Sequence, residues 1–185
     1  MNEKENRKIS KFLSLILRHQ PEIISLKLDK NGWAKVEELI QKAKNKNFYI
    51  TKDILEEIVV TNDKKRFIFN EDKSKIRANQ GHSLQNIDLE FQSIQPPEFL
   101  YHGTVSKFID NIQLKGLQKM SRQHVHLSED LKTANKVGSR RGKPIILKIQ
   151  SELMFKEGYQ FYKSENEVWL TDAVPPIFID FKNKL

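Results

Sequence analysis

Cysteine is absent from the 185 residues, which excludes disulfides, thiolate nucleophiles and cysteine-ligated zinc. No run approaches the ~20 apolar residues that a membrane span needs. The opening Met1-Asn2-Glu3-Lys4-Glu5-Asn6 is charged, so no membrane partner is expected and the cytoplasm is the expected location. Neither a P-loop nor a G-x-G-x-x-G after a strand is present, which removes support for a phosphate cradle or Rossmann cofactor site of that kind. Pairs of Asp and Glu occur, but without the spacing of a glycosidase or a metal site.

What is present is positive charge, a net +8 with a pI near 9.5, and the commonest partner of such a chain is nucleic acid. Residues 1–95 carry 18 Lys and Arg against 14 Asp and Glu, the remainder 14 against 10, so each part nets +4. Charge alone therefore assigns the anion to neither half. The length suits one ordinary domain or two small lobes.

Ile9, Phe12, Leu13, Ile16 and Leu17 recur at helical spacing and predict an amphipathic helix from about Glu5 to His19. Pro21 ends it, because the residue before a proline is pushed out of the helical region. This places Arg18 and His19 side by side at the helix end, where an arginine complements the helix dipole and His19 continues the line of Phe12 and Ile16. Asp29-Lys30-Asn31-Gly32-Trp33 is a turn, Val36, Leu39 and Ile40 mark a second helix, and Thr51 caps a third with Ile54, Leu55, Ile58 and Val59 inside. Arg66 to Arg77 reads as two short strands around an Asn/Asp/Ser turn, and helices followed by a hairpin resemble a winged helix. In the following loop, Arg77, Asn79, Gln80 and His82 offer donors suited to phosphate or ribose oxygens, with a solvated polar loop as the plainer reading.

Leu84 to Gln95 leads to Pro96-Pro97, where the lobe boundary is placed. Beyond it, Phe99 to Thr104, Gln123 to Ser128, Pro144 to Ile149, Tyr159 to Tyr162, Val168 to Thr171 and Ile177 to Asp180 read as strands. Helices are expected at Phe108 to Leu114, closed by Gly116, and from Glu129 to Val137. This half is thus expected to be β-rich with few helices. His102, His124 and His126 raise the question of zinc, but no carboxylate motif accompanies them and no metal is expected.

Six motifs stand in one order: Leu17-Arg18-His19 before a proline, Asp63-Lys64-Lys65-Arg66-Phe67, Ile76 to Ser83, Tyr101-His102-Gly103-Thr104, Arg122 to Ser128, and Val168 to Asp172. In this order, from about Lys8 to Ile179, the chain resembles the NAD-dependent RNA 2′-phosphotransferases, the KptA family of bacteria. The resemblance implies an α+β chain, with a winged-helix RNA-binding lobe over 1–95 and a β-rich, NAD-binding ADP-ribosyltransferase-like lobe over 96–185. It implies an enzyme that moves an internal 2′-phosphate from tRNA-like RNA to NAD, a co-substrate, in two steps. The phosphate attacks the nicotinamide ribose and expels nicotinamide. The ribose 2″-hydroxyl then attacks phosphorus, which releases 2′-hydroxyl RNA and ADP-ribose 1″,2″-cyclic phosphate.

Carried onto this chain, the family's catalytic arginines and histidine fall on Arg18, His19, Arg66 and Arg122, with Arg140 and Arg141 also available for the last position. Lys64 resembles a further phosphate contact. The NAD positions fall on His102, His126 and Val168, with Tyr101, Gly103, Thr104 and Ser128 around them, and Tyr101 or Tyr162 is a candidate to stack on a ring. Glu167, beside Val168, points to the opposite face if this segment is a strand, which suits a phosphate nucleophile that needs no carboxylate. The chemistry wants this set, because arginines clamp phosphate and only the histidine can move a proton at working pH. One alternative is an ADP-ribosyltransferase acting on nucleic-acid ends or protein, and another is a winged-helix regulator that senses NAD without chemistry.

Overall fold

The computed structural model describes residues 3–62 and 64–181; Asp63 of the second motif lies outside the described residues. The chain divides into two compact units, Met1–Glu90 and Phe91–Leu185, each with its own apolar core. Among the described residues the secondary structure is mixed, with short helices and small antiparallel sheets. No helix among them is long and apolar enough to cross a membrane.

The first unit begins with α1 (Glu3–Arg18), whose stripe Ile9, Phe12, Leu13, Ile16 and Leu17 is buried. The periodicity and the proline thus set this helix, which stops one residue before the predicted end. A 3-10 turn over Pro21–Ile24 follows, closed by Ser25 in the left-handed region at φ 54°. Next come β1 (Ala34–Lys35), α2 (Val36–Lys44) and α3 (Lys52–Thr61), where the Thr51 hydroxyl caps the Ile54 N–H at 3.3 Å. β2 (Phe67–Phe69) and β3 (Lys75–Ala78) form the expected hairpin, and β1 adds to give the antiparallel order β1-β3-β2. Leu17, Leu39, Leu55, Ile58, Phe67 and Ile76 meet in one core beneath it.

The second unit is built on β4 (Leu100–Val105). After it come α4 (Ile109–Lys115), β5 (Leu117–Gln118), β6 (Val125–Leu127), α5 (Leu131–Gly138) and β7 (Pro144–Ile149). They are followed by α6 (Ser151–Lys156), β8 (Tyr162–Lys163), β9 (Trp169–Thr171), β10 (Ala173–Val174) and β11 (Ile179–Asp180). The antiparallel sheets run β11-β7-β4, β6-β9-β8 and β10-β5. Tyr101 and Ser128 exchange two backbone hydrogen bonds of 2.8 Å, which stitch β4 to the segment after β6. Phe91 and Ile94 belong here, since the Phe91 ring meets His124 and Tyr162 and the Ile94 N–H donates to the Phe161 carbonyl at 2.9 Å.

Several details differ from the sequence reading, among them Ile177 and Phe178, which lie in a 3-10 turn over Pro176–Phe178 and not in a strand. α6 was not expected, since a six-residue helix is too short for a stripe to declare itself. Tyr159 and Gln160 are irregular, with the strand confined to Tyr162–Lys163. Val168 and Glu167 lie in the turn before β9, Glu167 at φ 63° and paired with Lys163, so the two-face argument for that carboxylate does not hold.

Candidate active site

In the first unit the end of α1 is tied down from one direction. The Ser83 N–H donates to the Arg18 carbonyl at 3.0 Å, and the Ser83 hydroxyl lies 3.0 Å from His19 Nδ1. This clasp spans 64 residues of sequence and engages the imidazole through its Nδ1. Ser83 closes the third motif, but nothing in the sequence showed that it would grip the first.

Arg66 stands on the tight turn before β2. Its guanidinium donates to Asn62 Oδ1 at 3.3 Å, and the same oxygen accepts the Lys64 N–H at 3.1 Å. Lys65 turns the chain in the left-handed region at φ 41°. Asn79 then ties this turn to β3, with its amide donating to the Lys65 carbonyl at 2.6 Å and its N–H to the Arg66 carbonyl at 2.9 Å. Arg77 crosses from Ile68 in the hairpin register and lays its guanidinium over the Trp33 ring, 4.6 Å from the centroid.

Asn79 and His82 are buried, His82 with no exposed surface at all, so neither is a simple solvated loop donor. Burial first, then the positive charges of Arg18, His19 and Arg77, push His82 down to about 4, well below an ordinary histidine. The Leu17 carbonyl opposes the shift, but neither ring nitrogen makes a hydrogen bond of regular geometry. The structure thus brings Arg18, His19, Arg77 and His82 into one electrostatic neighbourhood, with Lys64 and Arg66 on the turn that Asn79 fastens to the same hairpin.

In the second unit the predicted residues stand on β4, on and beside β6, and, for Val168, in the turn before β9. The Arg122 guanidinium donates to His126 Nδ1 at 3.1 Å, and His102 Nδ1 donates to the His126 carbonyl at 3.1 Å. That bond fixes the His102 tautomer with a lone pair on Nε2. Desolvation holds His102 below the usual histidine range, with the His126 carbonyl opposing and Arg122 assisting. Arg122 is itself lowered by desolvation, then by the like charges of Arg141 and Arg140, yet an arginine so shifted remains a cation at working pH. The three arginines share one neighbourhood, and Arg122 is the one that contacts His126.

Gly103 serves packing: a methyl group there would fall 1.9 Å from the Ala134 carbonyl, because α5 lies directly on β4. Thr104 is buried beside it, while Tyr101, Ser128 and Val168 are half-buried. His124, adjacent to β6, faces Phe91 and Tyr162 with ring centroids 6.2 and 5.5 Å away, an aromatic trio the sequence did not announce. Among the described residues no group of three or more His, Asp or Glu is placed to hold a metal ion.

The sequence profile of the RNA 2′-phosphotransferase, Tpt1 / KptA, family matches residues 4–173. The chain belongs to that family. A relative from Flavobacterium johnsoniae is 58% identical over 183 residues, which is 99% of this chain and 100% of the relative. One from Fusobacterium nucleatum is 57% identical, covering 94% and 97%, and one from Rhodopirellula baltica is 52% identical, covering 93% and 94%. Each is named a "Probable RNA 2'-phosphotransferase".

Proposed function

We infer that this protein removes an internal 2′-phosphate from tRNA-like RNA by transferring it to NAD. The products are RNA with a free 2′-hydroxyl, ADP-ribose 1″,2″-cyclic phosphate and nicotinamide, with 2′-phospho-ADP-ribosylated RNA between the two steps. The observation that carries the reading is the arginine–histidine end of α1, clasped by Ser83, in a chain matched over residues 4–173 by the RNA 2′-phosphotransferase family.

In this reading Arg18, Arg66 and Arg122 bind and orient the phosphate, and Lys64 and Arg77 hold the RNA around it. Arginine provides charge without accepting protons, so the departing RNA 2′-oxygen must take its proton elsewhere. His19 provides it. Its ring, positioned through Nδ1 by the Ser83 hydroxyl, is the one group among these that can donate or accept a proton at working pH.

NAD supplies an anomeric carbon with a good leaving group. The residues for it are His102, with a fixed tautomer and a free lone pair on Nε2, and Tyr101, Gly103, Thr104, His126, Ser128 and Val168 around it. These imidazoles, hydroxyls and backbone groups match ribose hydroxyls and a carboxamide. The unit that carries the end of α1 is read as the winged-helix RNA lobe, and the β4-based unit as the ADP-ribosyltransferase-like lobe.

The test is a 2′-phosphorylated oligoribonucleotide incubated with and without NAD, with products resolved by thin-layer chromatography. The reading expects loss of the 2′-phosphate only with NAD, together with a cyclic phosphate product. Phosphate loss without NAD overturns it, and ADP-ribosylated RNA as the only end product supports an ADP-ribosyltransferase acting on nucleic-acid ends instead.

A further inference from the structure

The sequence groups His82 with residues that touch RNA, but a side chain with no exposed surface has nothing to offer a ligand directly. Its surroundings explain it differently. The ring lies between the end of α1, β3 and the turn at Gly32, where a methyl group would fall 3.3 Å from His82 Nε2. Gly32 sits at φ 78°, and the Ile87 and Leu89 side chains close the same spot, 3.3 and 3.6 Å from where that methyl group would be. The residue after His82 makes both bonds of the Ser83 clasp to Arg18 and His19.

The charged and titratable groups facing His82 are Arg18, His19 and Arg77. A second imidazolium or a lysine here would add a buried positive charge to a site that already holds cations, at large cost. A neutral imidazole fills the space with a rigid planar ring and adds no charge.

We propose that His82 is a positioning residue, a neutral imidazole packed beneath the end of α1 that sets where the Arg18 guanidinium sits and keeps the Ser83 clasp in register with His19. It touches neither RNA nor NAD. The proposal rests on the assignment of Arg18 and His19 to phosphate transfer, so its test includes a measurement made without substrate.

That measurement is the Arg18 Nε–H signal in the nuclear magnetic resonance spectrum of the full chain, assigned by its loss in Arg18→Lys. The expected result is a protected signal in the wild type that exchanges about 10-fold faster or more in His82→Ala and regains protection in His82→Gln, whose neutral amide keeps a donor and an acceptor. For 2′-phosphorylated RNA, His82→Ala is expected to lower kcat about 100-fold with KM changed less than about threefold. His82→Gln stays within about fivefold of wild type, and His82→Ala adds no further loss on top of Arg18→Ala. If His82→Ala does not fold, His82→Asn, with its shorter reach, takes its place with the same expectation. An Arg18 signal unchanged by the substitution, or a loss that simply adds to that of Arg18→Ala, overturns the proposal. A wild-type protein inactive on 2′-phosphorylated RNA counts against the functional reading while the Arg18 signal still decides this one.

Discussion

His82 and His102 are both held below the usual histidine range by desolvation, one in each unit, yet they are fastened by different means. His102 rides on β4, where register with β7 and a hydrogen bond to the His126 carbonyl fix its position and tautomer. His82 has no such ladder; it is wedged among side chains at a helix end, a glycine turn and a hairpin. Strand pairing and one carbonyl therefore hold His102, whereas His82 is held by burial, and only its neighbour Ser83 is bonded to the end of α1. The lesson is that His82 is the more easily displaced of the two imidazoles, because packing alone yields more readily than a paired strand.

The comparison breaks most sharply at Gly103. A methyl group 1.9 Å from the Ala134 carbonyl cannot be absorbed by a flexible side chain, so Gly103→Ala must lift α5 off β4. The expected loss is above about 4 kcal/mol in denaturant unfolding, at the exceptional end for one substitution. A Gly103→Ala protein of wild-type stability would mean that the strand is not the rigid partner described.

Next comes Arg18 against Arg141. Arg18→Ala is expected to slow 2′-phosphate removal by at least about 100-fold, about 3 kcal/mol, and Arg18→Lys to recover little, since an ammonium does not reproduce a planar fork. Arg141→Ala removes one like charge beside Arg122 and is expected to change the rate less than about fivefold. Reversed magnitudes in single-turnover assays would move the catalytic assignment to the 139–141 turn.

The most gradual effect concerns pH. His82 titrates near 6.5 unfolded and about 4 folded, so its uncharged burial favours the folded state fully above pH 6.5. As pH falls from 6.5 toward 4 the unfolded chain takes up the proton first, and up to about 3 kcal/mol of stability is lost. His102, lowered in the same direction, adds to the slope. Unfolding curves at pH 7, 6, 5 and 4.5 should be steeper in pH for the wild type than for His82→Gln, which cannot titrate; parallel curves would show that His82 is not the group responsible.

Much of the first unit was legible because its signals are local. The stripe from Ile9 to Leu17, the stop at Pro21, the Thr51 cap and the Asn/Asp/Ser turn each act over a few residues, and each stands in the structure where the pattern put it. α6 was not legible, nor were the two-residue strands β5 and β10, since elements that short are formed by what they pack against. Of the candidate site, the residue types and their order were legible, as were the helix end that carries Arg18 and His19 and the strands that carry His102 and His126.

The sequence by itself determined which chemistry is possible: no thiol, ample arginine, and few histidines to move a proton. The tertiary structure decided which polar residues are inside. Arg77, Asn79, Gln80 and His82 form one polar loop on paper, but the fold buries Asn79 and His82, stacks Arg77 on Trp33, and sets Ser83 against His19. Burial and partner choice depend on segments up to 64 residues apart, and no local pattern encodes that distance.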